Sequence, residues 1–118
     1  MEVLEWITAI MLVLGIGMAG VMKLMQNEMA TDIADRLGYR DRMTIIGVAE
    51  VAGAIGVVIG AISSDLEWIG VLAAIGIILL MAGALMHHQR AGDSGKDLAP
   101  PAVLALVAVV YIIALFAN

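Results

Sequence analysis

The sequence contains no cysteine, and this absence excludes several kinds of chemistry. Disulfide bridges, thiol redox reactions and the usual iron–sulfur clusters all need cysteine, so this chain alone supplies none of them. Because cysteine usage is the main guide to the redox compartment, that compartment stays undetermined.

Charged residues are also scarce, at 14% of the 118 residues, whereas an ordinary soluble domain has roughly a quarter. Apolar residues make up 63%. A soluble chain of this length buries only part of its surface and cannot hide so much apolar area from water. The composition therefore indicates a single domain that lies in the lipid bilayer. The net charge of −5, without a basic patch, argues against nucleic acid.

Four long apolar runs account for most of the chain, and each is close to the roughly 20 residues that a helix needs to cross a membrane. They predict an all-α membrane protein, an antiparallel four-transmembrane-helix bundle in one domain of residues 1–118. Glu2 and Glu5 precede a full-length first run, which argues against a cleaved signal peptide. The predicted spans are about 3–25, 43–62, 68–86 and 101–116.

Local features predict how these spans begin and end. Pro101 suits the first turn of the fourth helix, where its missing N–H costs nothing. The polar segment before it, 92–100, is predicted to be a mobile connection. Trp6, Trp68 and Tyr111 lie near predicted span ends, where we expect them at the membrane interfaces.

The basic residues all lie on one side of the predicted bundle. Each lysine and arginine falls in or beside the first or third connection, whereas both termini and the second connection have none. By the positive-inside rule that side is cytoplasmic and both termini lie outside, as in a multi-pass protein of the inner membrane. The six residues are Lys23, Arg36, Arg40, Arg42, Arg90 and Lys96.

The first connection carries its own helical pattern. Met25, Met29, Ile33 and Leu37 recur every four residues with charged residues between them, which predicts a short amphipathic connector helix at the inner interface. Gly38 is its expected C-terminal stop. The helix is either a solvated connector that rests on the bundle or a docking surface for a partner.

Small residues at helical spacing predict where the spans pack, because lipid supplies no hydrophobic force that drives helices together. The same glycine faces fit packing inside one bundle or the interface of a homodimer, and both interpretations stay open. The predicted packing residues are Gly53, Gly56 and Gly60 in the second span and Gly76 and Gly83 in the third.

Glu50 is the polar residue that needs an explanation most. If the second span begins near Thr44, Glu50 lies about six residues deep, or roughly 9 Å. An ionised carboxylate inside the membrane costs about 2.5–3.5 kcal/mol on insertion scales. We therefore expect Glu50 to be paired, protonated or facing a polar cavity.

Further polar residues converge on the same end of the bundle. Lys23 lies near the inner end of the first span, and His87, His88 and Arg90 close the third. Together with Glu50 they form the candidate ligand-binding or ion-pair site, which leaves the outer half plainly apolar. In the alternative interpretation, Lys23 reaches up to the headgroups and the histidines are interfacial residues at a helix C-terminus.

No complete catalytic or cofactor motif accompanies these residues. Adjacent histidines on one helix end cannot ligate a haem from two sides, and Glu50 with one histidine offers too few ligands for a metal. We find no nucleophile–base pair and no phosphate-binding loop. The sequence therefore predicts no catalytic residue and no metal site.

The order of several short motifs resembles the DoxX-like family of small four-span membrane proteins. The resemblance covers nearly the whole chain and runs through 17–24 (GMAGVMKL), 37–39 (LGY), 46–56 (IGVAEVAGAIG), 73–76 (AAIG), 81–84 (MAGA), and His87 followed by 90–93 (RAGD).

This resemblance implies a four-helix fold in which the lysine, the glutamate and the histidine region are recurring polar positions. It also implies an association with quinone-linked respiratory or sulfur-oxidising complexes, or with membrane-protein assembly or oxidative-stress complexes. A quinone or a lipid is the cofactor class that this resemblance leaves open. Arg40 departs from the family pattern, in which a proline often follows the Leu-Gly-Tyr segment, and this affects only that turn.

Two functions of different classes follow. The first is an accessory or assembly subunit that binds a hydrophobic ligand, such as a quinone, or a partner protein at the inner-leaflet site, as a homodimer or in a larger membrane complex. The second is a small proton-coupled transporter that uses Glu50. Small multidrug-resistance exporters carry their carboxylate in the first span and line their site with aromatics, which make up only 4% here. An enzyme would require further subunits, for example in a quinone-linked oxidoreductase complex.

Overall fold

The computed structural model describes residues 2–117, with side chains from Val3 onward. Four segments are long and apolar enough to cross a membrane: Val3–Met25, Arg40–Ile62, Ser64–Arg90 and Gly95–Phe116. The described range contains no strand, so the predicted all-α transmembrane bundle is confirmed. The helices are α1 (Glu2–Leu12), α2 (Met18–Met25), α3 (Glu28–Leu37), α4 (Met43–Ile62), α5 (Glu67–Arg90) and α6 (Gly95–Phe116).

The long helices pack in a ring. A π-helical turn, Val13–Gly17, joins α1 and α2 into the first span, which packs against α4 and α6. Helix α5 closes the ring between α4 and α6. Consecutive spans pack against each other and run in opposite directions, as in an antiparallel four-helix bundle. We call the end with the first and third connections, residues 26–42 and 91–94, the basic end, and the other the opposite end.

The third and fourth spans extend beyond their apolar segments at the basic end. Helix α5 continues to Arg90, and α6 begins at Gly95 after Ser94. The expectation that Pro101 lies in the first helical turn is wrong, because Pro100 and Pro101 both lie in the second turn of α6. The apolar run marks the membrane-embedded part of a helix, whereas polar residues outside the lipid can continue the helix.

Tyr111 belongs to the core, so its expected place at the membrane interface is wrong. Its side chain is fully buried, and its hydroxyl donates a hydrogen bond of 2.7 Å to the carbonyl oxygen of Val57. Leu12, Ile16 and Ile77 are buried in the same cluster. Trp6 and Trp68 are exposed. The buried hydroxyl reaches across the ring of helices to a carbonyl of α4, which provides the partner that a phenol needs inside a core.

Glycines set the distance between α4 and α5. A Cβ atom at Gly56 would lie 2.6 Å from the Ala73 Cβ, and one at Gly60 would lie 2.5 Å from the Gly70 Cα. A Cβ at Gly53 would lie 3.1 Å from Ile77 Cγ1. These three predicted packing glycines therefore sit where the two helices touch. In contrast, a Cβ at Gly76 or Gly83 would meet nothing within 4 Å.

Helix α3 in the first connection lies against the basic end. The Asn27 side chain caps its start by accepting a 2.8 Å hydrogen bond from the Ala30 N–H. Gly38 ends it with a φ of 84°, a left-handed conformation that favours glycine. Ala30, Ala34, Tyr39 and Met43 form a small buried cluster beneath it. This packing holds Tyr39 close to the ends of α2, α4 and α5.

Candidate functional site

A buried ion pair joins the first and second spans near the basic end. The Lys23 Nζ on α2 lies 2.9 Å from the Glu50 Oε1 on α4. The Glu50 side chain is 4% exposed and that of Lys23 is 15% exposed. The structure thus brings together two of the residues that the sequence placed in the candidate site.

Two glycines let these charged side chains approach. A Cβ at Gly47 would lie 3.1 Å from the Lys23 Cβ, and a Cβ at Gly20 would lie 3.0 Å from the Glu50 Cβ. Each glycine therefore faces the charged residue of the other helix, and its missing side chain leaves room for it. Sequence reasoning did not assign this role to Gly20 or Gly47, because small residues are frequent throughout these spans.

The Glu50 carboxylate retains hydrogen-bonding capacity. Within the described residues, Oε1 accepts no hydrogen bond of acceptable angle, although Lys23 Nζ is close. Lys23 and Glu50 therefore form a close ion pair. A buried acceptor of this kind gains free energy from any further donor that reaches it, because an unsatisfied buried polar atom is costly.

A cavity of about 160 Å³ lies beside the ion pair. Its polar lining comes from Lys23 and Glu50, from His87 at the end of α5, and from Tyr39 after α3. The remaining lining is apolar or small and comprises Ile46, Leu79, Leu80, Met81, Gly83 and Ala84. Donors and acceptors thus converge on a small space with mostly apolar walls, which is typical of a ligand site.

Tyr39 is the member of this cavity that sequence reasoning missed. Its ring centroid lies 5.6 Å from that of His87, with the rings tilted by 54°. Burial, with the Glu50 carboxylate nearby, raises the pKa of the Tyr39 hydroxyl, so it remains a hydrogen-bond donor at neutral pH. The residue belonged to the quoted Leu-Gly-Tyr motif, but its position depends on how the connection folds back over the bundle.

His88 and Arg90 lie away from the cavity lining. His88 Nδ1 is 2.5 Å from Asp93 Oδ2, and Arg36 Nη1 on α3 donates a 2.6 Å hydrogen bond to Asp93 Oδ1. Arg90 is exposed. Of the five candidate residues, the structure gathers Lys23, Glu50 and His87 at one cavity and directs His88 into a contact between the two connections.

Acidification is expected to release the third connection from α3. Hydrogen bonds from His88 and Arg36 hold the pKa of Asp93 below its usual range. The stabilisation is therefore present above the ordinary aspartate pKa and is lost as the pH falls through the lowered pKa. Hydrogen–deuterium exchange protection of residues 91–94 should fall only in acid, whereas Asp93→Asn should lower it already at neutral pH.

The exposed Asp41 provides the control for this experiment. Asp41→Asn should leave protection of residues 91–94 unchanged at every pH, since Asp41 lies in the other connection. Equal protection in Asp93→Asn and the unaltered chain at neutral pH would show that the Arg36–Asp93–His88 contact does not hold this connection.

The opposite end also carries buried polar groups, contrary to the expectation of a plainly apolar half. Glu5 and Thr8 on α1 are each 4% exposed. The Thr8 hydroxyl donates to the carbonyl oxygens of Leu4 and Glu5, at 2.8 and 3.0 Å. Because these residues lie within or beside a long apolar run, the sequence did not indicate that they are buried polar groups. No group of three His, Cys, Asp or Glu side chains within residues 2–117 is arranged to hold a metal ion.

Comparison with known proteins assigns the chain to one family. The family described as the DoxX-like family matches residues 7–111. No curated protein and no solved structure matches the chain. The matched range includes α2, α4 and α5, the helices that carry Lys23, Glu50 and His87.

Proposed function

Because the chain belongs to the DoxX-like family of membrane proteins, we propose that it is an accessory membrane subunit that binds a hydrophobic ligand with a single-ring head group. The observation that carries this proposal is the cavity of about 160 Å³ lined by Lys23, Tyr39, Glu50 and His87. A quinone is the class of ligand whose chemistry fits that lining best.

The size of the cavity supports a single ring. An apolar protein cavity of about 150 Å³ is large enough to bind benzene. A drug-sized ligand needs roughly 300 Å³ or more. The Gly83 position contributes to this space, because a Cβ there would touch nothing within 4 Å.

The polar lining suits both redox forms of a quinone. The Lys23 ammonium and the Tyr39 hydroxyl donate hydrogen bonds, as the carbonyl oxygens of the oxidised form require. The Glu50 carboxylate accepts them, as the hydroxyl groups of the reduced form require. A bound quinone supplies two-electron redox chemistry, and the residues of this chain bind and orient the ring.

We place this site in the cytoplasmic leaflet of the inner membrane, with both termini outside. All lysines and arginines lie at or near the basic end of the bundle, and the positive-inside rule assigns such an end to the cytoplasm. The exposed Met25 at the end of α2 and the exposed Met29 on α3 fit a position at that interface.

Filling the cavity is expected to weaken quinone binding. Purified protein in lipid nanodiscs should bind decyl-ubiquinone saturably in isothermal titration. Gly83→Leu should weaken that binding about tenfold or more, because even one methylene too many in a hydrophobic pocket costs about tenfold or more. Because Gly83 contacts nothing that a Cβ would strike, the variant should fold normally.

Ala102→Leu is the matched control, since Ala102 is exposed on α6 and does not line the cavity. It should bind like the unaltered chain. Absence of saturable binding to the unaltered chain would refute the proposal. Proton-coupled flux in liposomes that Glu50→Gln abolishes without unfolding would refute it in favour of a transporter.

A further inference from the structure

A second, larger depression lies beside the candidate site on the membrane-facing surface. It is a groove of about 670 Å³ along the seam between α4 and α5. Its floor is formed by small residues of both helices, and its rim by exposed apolar side chains such as Trp68, Leu72 and Leu79. The small floor residues are Ala49, Ala52, Gly53, Gly56, Ala73 and Gly76.

The groove and the cavity are adjacent. Leu79 and Leu80 line both of them, so the two spaces share a wall on α5. The cavity carries the charged and hydrogen-bonding groups, whereas the groove lining is almost entirely apolar. The cavity is thus a polar compartment for a head group, and it adjoins an apolar groove that is open to lipid.

The groove is elongated along the membrane normal. It extends from Trp68 at the opposite end to Leu80 beside the cavity, and this stretch of α5 rises about 18 Å at 1.5 Å per residue. That distance is more than half of the roughly 30 Å hydrocarbon core. An extended hydrocarbon chain has the shape that fills such a groove.

We infer that the groove holds the apolar tail of the same ligand whose ring occupies the cavity, so that the ligand class is a ring-headed, single-chain amphiphile such as an alkyl or prenyl quinone. This inference rests on the proposed function. Lipid tails are as apolar as leucine, so the groove contributes close van der Waals contact and orientation of the tail rather than hydrophobic transfer.

The buried Glu50 supplies the second observation that points to a ligand. Its side chain is 4% exposed, it lines the cavity, and Lys23 is its ion-pair partner. An apolar groove alone would fit any lipid tail. A groove joined to this acceptor selects an amphiphile that anchors its head at Glu50 and Lys23.

Gly76 allows a direct test, because a Cβ there would meet nothing within 4 Å and a larger side chain would project into the groove. Two probes separate tail from head: 2,3-dimethoxy-5-methyl-benzoquinone, which has no tail, and its decyl derivative. In nanodiscs, Gly76→Leu should weaken binding of the decyl probe about tenfold. It should leave binding of the tail-less probe unchanged, and Ala102→Leu should affect neither.

Ala52→Leu, from the other wall, gives a second variant in case Gly76→Leu does not fold. If the unaltered chain binds both probes equally well, or both groove variants bind the decyl probe normally, the tail does not lie in the groove, although the head-group site stands. If neither probe binds, the proposed function itself fails. If Gly76→Leu instead splits a dimer in the nanodisc, the groove is an interface between copies and the inference is overturned.

Discussion

Lys23→Met is expected to lower the free energy of unfolding by about 3–5 kcal/mol, the usual cost of breaking a buried ion pair by removing one partner. The substitution keeps a long apolar side chain beside Gly47 but removes the ammonium that lies 2.9 Å from the Glu50 carboxylate. Glu50 would then be buried without its counter-charge. Unfolding by SDS in mixed micelles, followed by circular dichroism, measures the change.

A double-mutant cycle of Lys23 and Glu50 distinguishes the loss of the ion pair from the loss of packing contacts. Glu50→Gln should cost less than Lys23→Met, because Lys23 is more exposed than Glu50 and its longer side chain can reach the headgroups. The double variant Lys23→Met/Glu50→Gln should recover part of the loss, since it leaves no unpaired charge.

An exposed ion pair at the same end of the bundle provides the matched control. Arg40 Nη1 lies 2.9 Å from Asp35 Oδ2, with both side chains at least half exposed. Arg40→Met should therefore cost about 1 kcal/mol or less. If Lys23→Met proved as mild as Arg40→Met, the buried pair would contribute no more to stability than a surface pair.

Gly60→Ala is expected to destabilise the bundle by about 3 kcal/mol, the upper part of the range for overpacking a tight core. The new methyl group would lie 2.5 Å from the Gly70 Cα and 2.8 Å from the Tyr111 hydroxyl oxygen. The Gly70 backbone cannot rotate away as a side chain could. Separation of the helices would also strain the hydrogen bond that Tyr111 donates to Val57.

Gly76→Ala tests the same chemical change where there is room for it. No atom lies within 4 Å of the new methyl group, so the variant should be neutral or gain up to about 1 kcal/mol from better helix propensity. The free energies of unfolding of Gly60→Ala and Gly76→Ala are measured by the same SDS titration. Equal stability of Gly60→Ala and Gly76→Ala would contradict the close α4–α5 contact.

Glycines that fit the same sequence pattern illustrate what the sequence alone does not determine. Gly56, Gly60, Gly76 and Gly83 all fit small-residue patterns, yet only the first two meet a neighbouring helix at close range. The pattern shows that close approach is permitted. The rotation of each helix about its axis decides which glycine is used, and that rotation depends on all the contacts together.

The histidines show the same limit at the site. His87 and His88 are adjacent in the sequence, but neighbouring residues of a helix point about 100° apart. Only His87 lines the cavity, whereas His88 contacts Asp93. The sequence brought both to the correct end of the bundle, and the rotation of α5 separated their roles.

The number of transmembrane helices, their approximate extent and the gathering of basic residues at one end follow from the sequence by itself. Lipid offers no partner for backbone polar groups, so long apolar runs of this length must form helices. Only the tertiary structure decided that Tyr39 joins the cavity, that Tyr111 is buried, and that Lys23 meets Glu50 across Gly20 and Gly47. These features depend on contacts between segments distant in the chain, which no local pattern specifies.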